Sequence, residues 1–249
     1  MKITWDNLLA RIAEAPLEHL GGYSPSLLYE YFHGYERALA VHKRPEIEGS
    51  YGLDEFGRWF HENAYGGRQG WASYCRLLTD TDLQALELFF EFRRLAKASD
   101  WNRNDLPAPT PSDGSMTLLE FFFSESLRKR PGLYFGVNEC APGIWAMWNG
   151  YVWAERDIGV AESRDSTVFD GFSGWLKSRF PFAQDANFGK LFHFLALGQQ
   201  EQVFQTFFDH LELYLDGGAP DAHTKRFQSW LDEAVASALK LQAENSKSE

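Results

Sequence analysis

The sequence predicts a mainly α-helical protein: two pseudo-symmetric copies of one helical unit, packed together, with an additional helix at the C-terminus. Three observations carry this prediction. Apolar residues recur at three- and four-residue steps through most of the 249-residue chain, and alternating strand patterns are scarce. Landmarks of the first half reappear in the same order in the second half at a nearly constant shift. Between the halves, residues 99–115 gather Pro107, Pro109 and Pro111 among Asp, Asn and Ser, the composition of a linker.

In chain order, the first helix is expected over Trp5–Ala15, with Asp6 as N-cap and Leu8, Leu9 and Ile12 along one face. Its counterpart is Thr117–Lys129. Each ends just before a proline (Pro16, Pro131), whose ring disfavours further helix, and the next turn closes on Gly21 or Gly136. A longer helix over Pro25–His42 aligns Leu28, Phe32, Tyr35 and Leu39; its counterpart aligns Ile144, Trp148, Tyr151 and Glu155. Short amphipathic helices follow at Phe56–Asn63 and Phe169–Ser178. After the Gly66-Gly67 turn comes a helix through Trp71, Tyr74 and Leu78, matched by one through Phe188, Leu191 and Leu195. Helices Asp82–Ala96 and Gln200–Leu215 close the units, which span 3–98 and 116–216. Short strands stay open as an alternative around Gly132–Val137. Beyond Gly217-Gly218-Ala219-Pro220, a helix within 221–243 has no counterpart in the first copy and is expected to pack on both.

The repeat is visible residue by residue. At a shift of 115, Ala15–Gly21 falls on Arg130–Gly136. At 116, Phe32-His33-Gly34-Tyr35 meets Trp148-Asn149-Gly150-Tyr151, and Asp54, Phe56 and Trp59 meet Asp170, Phe172 and Trp175. At 118, Phe89-Phe90-Glu91 meets Phe207-Phe208-Asp209. What the copies share is Gly, Pro and aromatic residues at the spacing of a buried helical face. Aromatics make up 16% of the chain (21 Phe, 10 Tyr, 9 Trp), so rings are expected to fill the core.

The formal charge is −11, divided as −5 over 1–115 and −6 over 116–249. A field of that sign repels phosphate backbones and anionic lipid and favours basic protein partners. No apolar run approaches membrane-spanning length, and Met1–Asp6 has no apolar leader core, so a cytoplasmic location is expected. Cys75 and Cys140 lie outside any CxxC spacing and read as buried, reduced residues.

Catalytic and cofactor patterns are absent from the sequence. The seven histidines (19, 33, 42, 61, 193, 210 and 223) form no HExxH or HxH spacing, and His33 becomes Asn149 in the other copy. Asp209-His210 followed by Glu212 reads as a solvated helix face. GxSxG, GxxxxGK[ST] and GxGxxG do not occur. No metal, cofactor or catalytic residue is therefore expected.

The stretch Arg130-Pro131-Gly132-Leu133-Tyr134-Phe135-Gly136 resembles the Arg-Pro-Gly-Met-Tyr-Ile-Gly segment of DNA gyrase-type ATPase domains. Those domains need an Asp-x-Gly-x-Gly loop, and the glycines of Asp170-Gly171-Phe172-Ser173-Gly174 are misplaced for it, so the stretch reads as a helix-stop turn. The same turn, with the helix before it and the Gly-Tyr helix after it, resembles small bacterial proteins that include immunity proteins of polymorphic toxin systems. The resemblance touches roughly 5–40 and 118–155. It implies an inhibitor that covers the active surface of a basic toxin domain. The linker residues Asp100, Trp101, Asp105 and Asp113 are the surface candidates for that contact. Two alternatives stand beside this reading: an enzyme with a site in a cleft between the repeats, and a structural or regulatory interaction module. The oligomeric state is not legible in the sequence.

Overall fold

The computed structural model describes residues 3–44, 47, 53–63, 70–99, 116–129, 135, 140–160, 163–180, 186–196, 200–218, 233, 236 and 240. Among these residues the chain is mainly α-helical, as the periodicity predicts, and contains no β-strand.

The chain separates into two compact units, Met1–Phe169 and Asp170–Glu249. The first unit opens with α1 (Trp5–Glu14). Its cap is Thr4, whose hydroxyl accepts the Asn7 N–H, and not the expected Asp6. Asp6 sits one step inside the first turn and instead accepts from Arg93 (2.8 Å) and Lys97 (2.7 Å). Pro16 then starts α2 (Pro16–Leu20), which closes on Gly21.

Helix α3 (Ser26–Val41) buries Leu28, Tyr31, Phe32, Tyr35, Ala38 and Leu39. It ends with Lys43 in the left-handed region (φ 51°) and the Arg44 N–H reaching back to the Leu39 carbonyl at 2.8 Å. Helix α9 (Cys140–Asp157) ends in the same turn, with Gly159 at φ 71° and the Val160 N–H on the Glu155 carbonyl at 2.9 Å. One copy thus has glycine at the left-handed position and the other has lysine, whose Cβ is strained there. Lys43→Gly is therefore expected to stabilise the fold by roughly 0.5–1 kcal/mol in urea denaturation; destabilisation would contradict this reading of the turn.

Among the described residues the most extensive helix–helix contact is between α3 and α9, and glycine makes it possible. A Cβ placed on Gly34 would lie 1.8 Å from the Met147 carbonyl oxygen, and one on Gly150 would lie 2.0 Å from that of Tyr31. The two contacts exchange under the shift of 116, which carries Tyr31 to Met147 and Gly34 to Gly150. Backbone meets backbone at both points.

Helices α4 (Leu53–Asn63), α5 (Trp71–Leu77) and α6 (Asp82–Ala98) meet around three rings. Phe56–Trp71, Phe56–Phe89 and Trp71–Phe89 have centroid separations of 5.6, 5.1 and 4.6 Å. The expected single helix over 117–129 is broken into α7 (Leu118–Phe122) and α8 (Glu125–Lys129). Thr117 and Glu120 form a capping box on α7, and the Ser124 hydroxyl, accepting the Leu127 N–H, begins a new helix. Helices α7, α8 and α9 open the second sequence repeat yet belong to the first compact unit. The boundary between compact units falls at residue 169, within α10 (Arg164–Arg179), and not at the linker.

In the second unit, Phe172 on α10 meets Phe188 on α11 (Phe188–Leu195) at 5.8 Å and Phe207 on α12 (Gln200–Leu215) at 6.0 Å. Phe188 and Phe207 are 5.7 Å apart. These rings occupy the shifted positions of Phe56, Trp71 and Phe89. His210 is not on a solvated face: its ring packs on Phe192 (5.3 Å) and Phe180 (5.8 Å). The expected linker beyond Ser99 and the possible strands at 132–137, apart from the helical Phe135, lie outside the described residues. So does the helix within 221–243, apart from Glu233, Ala236 and Lys240, which are helical and exposed.

Candidate functional site

Two features of the described residues carry polar chemistry or exposed apolar surface worth weighing as a site. They are a set of buried polar networks in the first unit and an exposed corner where α5 turns into α6.

The first network joins α1, α3 and α9. Arg11 donates through both terminal nitrogens to the Asp157 carboxylate, at 3.0 and 2.7 Å, and the Tyr35 hydroxyl donates to the same group at 2.6 Å. Burial pushes the Asp157 carboxyl up, but the hydrogen bonds from Arg11 and Tyr35 outweigh it and hold it below the usual carboxylate range. The Asp157 hydrogen bond raises Arg11, and burial followed by Asp157 raises Tyr35. Arg11 also lies 5.0 Å above the Trp153 ring. Next to it, His19 is 1% exposed, packs on Trp153 at 4.6 Å and has Nδ1 3.3 Å from the Tyr31 hydroxyl. Burial, then the Arg11 charge, lowers its pKa and favours the neutral ring. Asn149 donates to the carbonyls of Glu18 and His19, both at 2.8 Å, satisfying the end of α2.

The second network centres on Glu155, which is 1% exposed. His42 Nε2 lies 2.8 Å from one carboxylate oxygen, while Ser163 (2.6 Å) and Ser166 donate their hydroxyls to the other. Serine, histidine and glutamate thus meet, but in the wrong order for nucleophilic catalysis. A reactive serine must donate to the histidine that takes its proton, and here both serines donate to the carboxylate. A third group, Asp165, is buried and accepts the Leu119 N–H at 3.0 Å and a hydrogen bond from Tyr151. Burial raises its pKa. In all three cases the hydrogen bonds tie one segment of the fold to another.

None of these groups was singled out as a site from the sequence. A signal was present: under the shift of 116, Glu155 and Asp157 take the places of Leu39 and Val41. A carboxylate on the apolar face of one copy implies a partner, yet the basic partners are more than 100 residues away, Arg11 by 146 and His42 by 113.

At the exposed corner, Leu77 and Leu78 end α5 and are 72% and 54% exposed. Leu83, in the first turn of α6, is exposed beside them. An open depression follows along α6, lined by Leu78, Asp80, Glu87, Leu88 and Glu91. At the corresponding corner of the second unit, where α11 ends, Phe194 is 49% exposed while Leu195 and the C-cap Ala196 are buried.

The sequence-derived contact candidates Asp100, Trp101, Asp105 and Asp113 all lie outside the described residues. Cys75 is buried, and burial pushes its thiol up to about 12. Among the described residues, no group of three or more His, Cys, Asp or Glu side chains could hold a metal ion, and no helix is long and apolar enough to cross a membrane. No family model, curated protein or solved structure matches the chain.

Proposed function

We propose that this chain is a non-enzymatic binding protein of the immunity type, which neutralises a basic toxin domain by covering its active surface. The observation that carries the reading is how its carboxylates are distributed. Half-buried Asp157 and buried Glu155 and Asp165 hold segments of the fold together, and buried Glu30 faces His33 at 4.0 Å. The large negative charge, −11 overall, therefore acts from the surface, where it attracts a basic protein and speeds its approach. Aromatic side chains, which often anchor protein interfaces, are here largely drawn into the ring clusters of the core. Exposed leucines, with Phe194, are left among the described residues to supply the apolar part of a contact.

The test uses the full chain and the toxin domain encoded by the neighbouring gene. The two are expected to form a stoichiometric complex that abolishes the toxin's activity. Its association rate should fall steeply with added salt, because the Debye length shrinks from about 10 Å at 0.1 M to about 3 Å at 1 M. Failure to form a complex at low salt would overturn the reading.

A further inference from the structure

We propose that the α5–α6 corner is the docking surface, and that its occupant is a basic amphipathic helix of the partner protein. This deepens the binding reading and rests on it. The corner presents two adjacent, largely exposed leucines at the end of a helix, Leu77 and Leu78, with Leu83 exposed next to them. The depression that continues from them along α6 has Leu88 between Glu87 and Glu91, with Asp80 at its head. Arg76 pairs with Asp82 at 3.2 Å and Arg94 with Glu91 at 2.6 Å. Asp80 and Glu87 stand outside those two pairs. The surface therefore offers a leucine platform that runs into an acidic trough, complementary to a helix with leucines on one face and Lys or Arg flanking them.

The second unit supplies an internal comparison. At the shift of 117 that carries Trp71 to Phe188, Leu77 falls on Phe194, which is 49% exposed, and Leu78 falls on Leu195, which is buried. Leu78 is thus exposed where its counterpart is covered. Polar residues at positions 77 and 78 would be better solvated, so the exposed leucines point to a contact made outside the chain.

The test titrates a synthetic Leu/Lys amphipathic helical peptide into the ¹⁵N-labelled full chain, with a Leu/Glu peptide of the same apolar pattern as control. Amide shifts are expected to centre on Leu77–Glu91, and the Leu/Glu peptide should not bind. Leu77→Lys/Leu78→Lys and Asp80→Lys/Glu87→Lys should each weaken binding at least about tenfold. All four positions are exposed, so both variants should keep the wild-type amide spectrum elsewhere. Shifts centred on another face, no binding, or unchanged affinity in both variants would overturn the proposal. The toxin domain separates this inference from the reading beneath it. If the domain binds wild type and Leu77→Lys/Leu78→Lys equally, the corner is excluded and the binding reading stands. If it binds neither while the Leu/Lys peptide still maps to the corner, the toxin reading falls and the docking surface stands.

Discussion

Replacing Gly34 or Gly150 with alanine is expected to cost about 3 kcal/mol or more of folding stability. The new methyl group would sit 1.8 Å from the Met147 carbonyl oxygen or 2.0 Å from that of Tyr31. No rotamer change relieves these contacts, because the obstructing atoms are main chain on the facing helix. The helices must separate, and the packing of Tyr31, Tyr35, Trp148 and Tyr151 at or near the crossing must loosen with them. Chemical denaturation measures the effect as a lowered midpoint at constant m-value. Because either alanine already separates the pair, the double variant should lose clearly less than the sum of the singles. A cost under about 1 kcal/mol for either single change would show that the helices do not meet at these glycines.

Asp157→Asn is the second large effect expected. Asn removes the charge that Arg11 faces and turns one acceptor of the carboxylate into a donor. Breaking a buried ion pair from one side costs about 3–5 kcal/mol. Arg11 and Asp157 side chains are 28% and 14% exposed, and the partial screening this allows reduces the expected loss to about 2–3 kcal/mol. Arg11→Met together with Asp157→Leu should restore part of the loss, since no uncompensated charge is left behind. The pH dependence has a definite sign. The folded-state pKa of Asp157 lies below its ordinary value, so its contribution is fully present above the unfolded value of about 4 and is lost as pH falls through the depressed one. The gap between wild type and Asp157→Asn, measured by denaturation from pH 7 to pH 2.5, should therefore narrow below about pH 4. A gap that stays constant to the lowest pH would contradict the ion pair.

Much of the helix pattern could be read from sequence because local spacing determines it. Gln200–Leu215 was bounded correctly by its apolar period and the glycines that follow. The core role of Phe56, Phe172 and the paired phenylalanines could be read from their recurrence. Caps were harder. Asp6 has the chemistry of an N-cap, but Thr4 takes the role while Arg93 and Lys97, from α6, hold Asp6. The break at Phe123-Ser124 was missed although Thr117 and Glu120 mark a capping box, because the apolar period of 118–127 runs on across it. The polar networks were out of reach of local pattern. Arg11 looks like any exposed helical arginine until α9 places Asp157 against it. The exposed corner was hidden for the opposite reason: Leu78 continues the helical stripe of Trp71 and Tyr74, and nothing local marks it or Leu77 as exposed.

Two sets of residues are distinct: one holds the helices together, and the other is the one proposed to meet a partner. The most direct test is the affinity of stability-characterised variants for the toxin domain encoded by the neighbouring gene. Asp157→Asn should lower stability yet, at a temperature where it remains folded, bind the domain as tightly as wild type. Leu77→Lys/Leu78→Lys should keep stability within about 0.5 kcal/mol and lose affinity by at least about tenfold. The reverse result, binding lost with Asp157→Asn in its folded state and kept with Leu77→Lys/Leu78→Lys, would place function in the polar network and contradict the account.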